Sequence, residues 1–218
     1  MQRAYKKGGD EICLALALLN AHPELTILYD IGANRGEWSR GVAESVDRQL
    51  QQFLFDPLVY LERERERNCP SGKHFTVMLS DEKKEVDWYD RPGGGGYGAS
   101  YFKESSVQYV DVKPSKRQTE TLDALVTKHT LPIPHFVKID TQGSELDILR
   151  GGSELIKNVN FVQLEINKSG KSLQYGSPTY EECTEYMKSI GFNIHSDNSI
   201  EKERKWDFDV LFERIDTI

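Results

Sequence analysis

The side chains able to do chemistry fall in a few short stretches. Tyr29-Asp30-Ile31-Gly32-Ala33-Asn34-Arg35-Gly36-Glu37 sets an acid just before a glycine turn. Glycine lets backbone approach a ligand closely, and a helix start offers free N–H groups. The stretch is not G-x-G-x-x-G, because Asn34 holds the middle glycine position and Glu37 the third. A pyrophosphate needs close approach at that second glycine. Asp30 suits a cationic group, such as an α-amino group, better than a phosphate. The plain alternative is a tight strand–helix turn with no ligand.

Asp56-Pro57 follows 20 residues after Gly36. An acid at about this distance commonly holds a ribose diol, and a carboxylate has the acceptors for it. The pair is equally good as a helix cap with proline at the first position. Ser80-Asp81 offers an acid for an exocyclic amine, and is also ordinary turn chemistry. Lys138 and Asp140, two apart, share one face of a strand. They read either as an internal salt bridge or as a polar floor for catalysis. Gln163 and Glu165 repeat the pattern, making Glu165 an acid in an otherwise apolar strand. Glu145 lies in a first helical turn, where negative charge is favoured.

These residues need elements to position them. Apolar runs at 26–31, 52–55, 74–79, 136–139 and 161–166 read as strands, with helices over 11–20, 35–49, 59–67, 119–128, 144–149 and 180–190. Phe192–His195 and Phe208–Glu213 follow as two strands with no helix between them. Strand–helix alternation predicts an α/β, doubly wound, mostly parallel sheet with an antiparallel pair at its end. In such sheets the ligand lies beyond the carboxyl ends of the strands, where the acids above fall. Glu85–Asp90 and Val107–Lys113 flank the cluster Gly93–Gly96 and read as an inserted hairpin or flap over 85–113. Its Tyr97, Tyr101 and Phe102 are candidates for a lid, and residues 167–177 for a second loop beside the acceptor. The ERERER run at 62–67 reads as a solvated helix face. The expected organisation is one domain over 1–218, with an N-terminal helical segment over 1–25.

Composition narrows the classes. The chain has 218 residues, 28 Lys+Arg and 35 Asp+Glu, for a net charge of −7. That balance argues against a general nucleic-acid binder, which needs a basic face. The longest apolar run, Ile12–Leu19, is too short to span a bilayer. Residues 1–10 lead into no cleavage pattern, so no secretory leader is expected. Cys13, Cys69 and Cys183 are odd in number and far apart, which supports no disulfide or zinc framework and suits a reducing cytoplasm. No metal-ligand spacing is present. His135 and His195 are weak candidates for a base. The oligomeric state is not legible.

The ordered set YDIGANRGEWS (29–39), FDP (55–57), LSD (79–81), TLDAL (121–125), VKIDTQGSELDILRGG (137–152) and QLEIN (163–167) resembles the FkbM family of S-adenosylmethionine-dependent methyltransferases. The resemblance implies a class I, Rossmann-like methyltransferase fold of seven strands with a final antiparallel hairpin. It implies that Asp30, Gly32, Asn34 and Gly36 surround the methionine part of S-adenosylmethionine, Asp56 the ribose, and Ser80 and Asp81 the adenine. Asp140 and Glu145 match the acids of D-x-x-G-x-E, with Gln142 where many members have Glu. The expected reaction is methyl transfer to a hydroxyl of a sugar, glycan or polyketide-type acceptor. Asp140 or Glu165 would be the base, and Lys138 would orient or tune it. An NAD(P)-dependent oxidoreductase and a catalytically silent cofactor-binding module are the alternatives.

Overall fold

A computed structural model describes residues 10–167, 174–197 and 207–215. Its main sheet uses β1 (Ile27–Ile31), β2 (Gln51–Phe55), β3 (Lys73–Phe75), β6 (Phe136–Ile139), β7 (Phe161–Asn167), β8 (Phe192–Asp197) and β9 (Asp207–Arg214). Their order is β3-β2-β1-β6-β7-β9-β8. The first five pair in parallel, while β9 runs antiparallel to both neighbours. The order reverses between β1 and β6, so the switch point falls where the glycine turn meets Lys138 and Asp140.

The two faces of the sheet differ. Period-two alternation turns Tyr29, Ile31, Phe53, Phe55, Val137, Ile139, Val162 and Leu164 into one continuous apolar core. The other face packs under α1 (Asp10–Ala21) and α2 (Glu37–Ser45), with Leu28, Trp38, Phe136 and Phe161 in its core. On that second face the sequence sets Asp30, Gln52, Lys138 and Gln163, all buried. Asp30 is in register with Lys138, and Lys138 with Gln163. The polar side chains thus form a lateral row under the helices.

Several expected boundaries move. The third strand stops at Phe75, because Leu79 bridges to Glu120 and the Ser80 N–H donates to the Glu120 carbonyl. Val77, Met78 and Leu79 become a wall instead. The flap is a real antiparallel pair, but β4 (Glu85–Trp88) takes β5 (Ser115–Gln118) as its partner. Val107–Tyr109 is a 3-10 turn rather than a strand, with Tyr109 buried and its hydroxyl bonded to the Tyr97 carbonyl. The helix expected from 119 begins at Leu122, as α4 (Leu122–His129), capped by Thr121. Among the described residues no helix is long and apolar enough to cross a membrane.

Candidate active site

A cavity of about 1480 Å³ runs from the carboxyl ends of β1, β2, β6 and β7 along α1 and α2. Single small-molecule sites commonly take about 300–1,000 Å³, so this one has room for two ligands. Among its lining residues are Gly32, Asn34, Asp56, Lys138, Asp140 and Glu165. Six of the residues singled out from sequence therefore share one space.

The β1 end is built by close packing. Gly32 has φ 80°, and a Cβ there would lie 1.8 Å from the Asp140 carbonyl oxygen. Its glycine is required by the backbone of β6, whatever the ligand does. Gly36, at φ 74°, starts α2 in a left-handed conformation; it closes the turn and is not part of the cavity lining. Asp30 also lies behind that lining. Its carboxylate accepts from the Ser39 hydroxyl at 2.6 Å and sits 3.9 Å from the Lys138 ammonium. Burial pushes its carboxyl up, against the pull of Lys138. Asp30 therefore meets Ser39 and Lys138 rather than the cavity.

Asp56 is occupied by the protein. It accepts from the N–H of Asn34 at 2.8 Å, the N–H of Leu58 at 2.8 Å and the guanidinium of Arg65 at 3.0 Å. A carboxylate has roughly four acceptor positions, so about one is left for a ligand. Burial pushes its pKa up to about 6, with Arg65 and the two N–H groups pulling the other way. Arg65 corrects the solvated reading of the ERERER run, because its side chain is 0% exposed. It falls in the helical stripe Leu58, Leu61, Arg65, Cys69, all buried, so a three-to-four spacing placed it inward. Alternating charge hid that signal.

Ser80 and Asp81 stay outside the cavity lining. The Ser80 hydroxyl donates to Asp81 at 2.9 Å, and Lys84 pairs with the same carboxylate. The cavity wall at this strand end is the apolar set Leu58, Val77, Met78, Leu79 and Trp88.

The β6 and β7 ends are built of facing side chains. Lys138, 3% exposed, donates to Asp140 at 2.8 Å and lies 5.7 Å from the ring of Trp38. Burial pushes the Asp140 carboxyl up; Lys138 and hydrogen bonds with Glu165 and Gln142 outweigh it and hold it below the usual range. Glu145 does not line the cavity. It accepts from the N–H groups of Thr141 at 2.8 Å and Gly143 at 3.0 Å, tying down the loop that carries Gln142. Burial pushes its pKa up to about 7, with those N–H groups opposing.

The inserted segment contributes Trp88, Gly96, Tyr97 and Tyr101 to the cavity lining. Gly96 is pressed against the site, since a Cβ there would lie 2.4 Å from Leu58 and 3.2 Å from the Asn34 amide. Tyr101 is anchored, with its hydroxyl donating to Asp147 at 2.9 Å. Tyr97 remains exposed, 5.8 Å from the Arg35 guanidinium. Of the loop over 167–177, residues 168–173 lie outside the described residues. Neither His135 nor His195 lines the cavity; the His135 ring accepts from the N–H of Thr26 at 3.0 Å. No cluster of three metal-ligating side chains occurs among the described residues.

Comparison with known proteins agrees with this architecture. The family model described as the methyltransferase FkbM domain matches residues 30–194. Hexuronic acid methyltransferase AglP of Haloferax volcanii is 42% identical over 154 residues, covering 69% of this chain and 59% of that protein. The chain thus spans about three fifths of this curated relative. Magnesium protoporphyrin IX methyltransferase (ChlM) of Synechocystis PCC 6803 with bound SAM superposes with a TM-score of 0.54 at 11% identity, over 98% of this chain and 89% of that one. Fibrillarin of Methanococcus jannaschii gives 0.53 at 12% identity, over 87% and 66%. At such identities the likeness is one of fold, the sheet of class I methyltransferases. The match over residues 30–194, from the first acid of the glycine turn to the last hairpin, places the chain in the FkbM methyltransferase family.

Proposed function

We propose that the chain is an S-adenosylmethionine-dependent O-methyltransferase acting on a sugar hydroxyl, with uronic-acid glycans the first acceptors to test. One observation carries this: a single cavity joins a ligand-ready turn to a pair of facing carboxylates. Asn34 Oδ1, Arg35 Nε and Trp38 Nε1 are buried without hydrogen-bond partners among the described residues, all within the turn and the start of α2. Buried polar atoms are rarely left so. A cofactor with amine, carboxylate and diol groups supplies what they lack. Asn34 and the spare acceptor of Asp56 would hold its polar part, and the apolar wall of Leu58, Met78 and Trp88 its base. When bound, S-adenosylmethionine supplies an electrophilic methyl group.

The protein's own work is then to orient, exclude water and move one proton. A sugar hydroxyl is a poor nucleophile until a base accepts its proton. Asp140 is kept ionised by Lys138 and is the carboxylate we assign to that role, with Glu165 beside it. Asp30 and Trp38 position Lys138. The flap covers the opening, which keeps the site dry. Membership of the methyltransferase family and Asn34 at the middle glycine position leave no support for the oxidoreductase alternative. The uronic-acid acceptor rests on the 42% identity to AglP.

Turnover can be followed as S-adenosylhomocysteine released with a glucuronate-terminated disaccharide. Asp140→Asn should lower the rate by about 10²–10⁴ with cofactor affinity within about threefold. A wild-type rate in the folded variant would remove Asp140 as the base.

A further inference from the structure

Gln142 stands between the two carboxylates. Its side-chain nitrogen donates to Asp140 Oδ1 at 3.3 Å and also to Glu165 Oε2. Its oxygen accepts from the Gln174 side-chain nitrogen at 3.3 Å. A primary amide has two N–H donors, so one serves each acid. Chemistry fixes the amide's orientation, because the reverse would face its oxygen against two carboxylates. The backbone makes the placement possible. Gln142 sits at φ 59° and Gly143 at φ 108°, a tight reversal that brings residue 142 back over residue 140. Few non-glycine residues hold such a φ without a reason.

We propose that Gln142 is the positioning residue of this pair: by giving one amide hydrogen to each of Asp140 and Glu165, it holds the two carboxyl groups side by side and leaves Asp140 open to the proton of the acceptor hydroxyl. The inference rests on the methyltransferase reading for its purpose, though not for its geometry. The charged groups around Asp140 and Glu165 are Lys138 on β6, Asp30 on β1 and Glu145 on α5 (Glu145–Gly151), among the described residues. Lys138 is the cation beside Asp140 among the described residues, and it supports Oδ2. Oδ1 accepts from Gln142. A neutral donor adds hydrogen bonds without adding charge. Glutamate at 142 would instead bring a third carboxylate into the cluster, and one of the three would have to take a proton.

The test needs no acceptor. Wild type, Gln142→Met and Gln142→Glu are labelled with ¹³C at side-chain carboxyl carbons, of Asp in one set and Glu in another, and titrated by NMR. Met keeps the length and removes both donors; Glu keeps the shape and adds charge. We expect the Asp140 midpoint to rise by about one pH unit or more in each variant. Midpoints within a few tenths of wild type, in a variant with native amide spectrum, would overturn the proposal. If Gln142→Met does not fold, Gln142→Glu decides alone. Calorimetry of wild type with S-adenosylhomocysteine separates the two readings. Moved midpoints without cofactor binding would refute the cofactor assignment and uphold the role of Gln142. Fixed midpoints with cofactor binding would do the reverse.

Discussion

The two halves of the cavity are made in opposite ways. At the β1 and β2 ends polar groups hold backbone and only a few are left over: Asp56 binds two N–H groups and a buried arginine, Gly32 lies against the Asp140 carbonyl, and Asn34 Oδ1 has no partner among the described residues. At the β6 and β7 ends polar side chains bind one another: Lys138 with Asp140, and Gln142 with Asp140 and Glu165. The first half resists change because it is structure. The second can change protonation because its charges answer to each other. Mutations in the first should therefore read out in stability, and in the second in rate and pH dependence.

The sharpest break should come at Gly32. Gly32→Val combines a positive φ with a backbone clash against β6, and should cost about 3 kcal/mol or more in urea unfolding. A stable Gly32→Val protein would show that the two strand ends are less tightly locked than described. Arg65→Met comes next. It leaves Asp56 buried without its cation, and breaking such a pair costs about 3–5 kcal/mol. If Arg65→Met melts like wild type, the β2 end is not held by this pair.

Glu145 gives a smaller, pH-dependent effect. Its folded value of about 7 lies above the ordinary 4.5, so the folded state holds the proton longer. The stability this confers is present below about pH 4.5 and lost as pH rises through 7, a swing of about 3 kcal/mol. Asp56, raised to about 6, acts in the same direction. Asp140, held low, acts oppositely: its contribution is present above about pH 4 and lost on acidification. Stability, read from melting curves, should therefore fall from pH 4.5 to 8 in wild type, and fall less in Glu145→Gln, where Asp56 remains to titrate in that direction. An unchanged slope would mean Glu145 is not what titrates.

The sequence was legible where local rules and the sheet period agree. Asp30, Lys138 and Glu165 stand out because an ionisable residue interrupts an apolar strand, and the alternation fixes its face. The switch point then brought Asp140 and Glu165 together. What was hidden depended on long-range partners. Arg65 looked like one charge in a solvated run until Asp56 was seen beside it. Asp81 also has a local partner that its spacing allows, Lys84 three residues on. The β5 strand was misplaced because 107–113 is more apolar than Ser115–Gln118, a strand exposed along its length. Gln142 reads in sequence only as a departure from a family pattern; its contact with both carboxylates comes from the reversal at 142–143 and the neighbouring β7.

The central claim is that the β1 and β2 half holds S-adenosylmethionine, and calorimetry of the wild-type chain tests it most directly. S-adenosylmethionine and NAD are titrated separately into the same protein, and S-adenosylmethionine into Asp140→Asn. The account predicts saturable binding of S-adenosylmethionine, none of NAD, and an affinity in Asp140→Asn within about threefold of wild type. Binding of NAD, or no binding of S-adenosylmethionine to folded wild type, would contradict it.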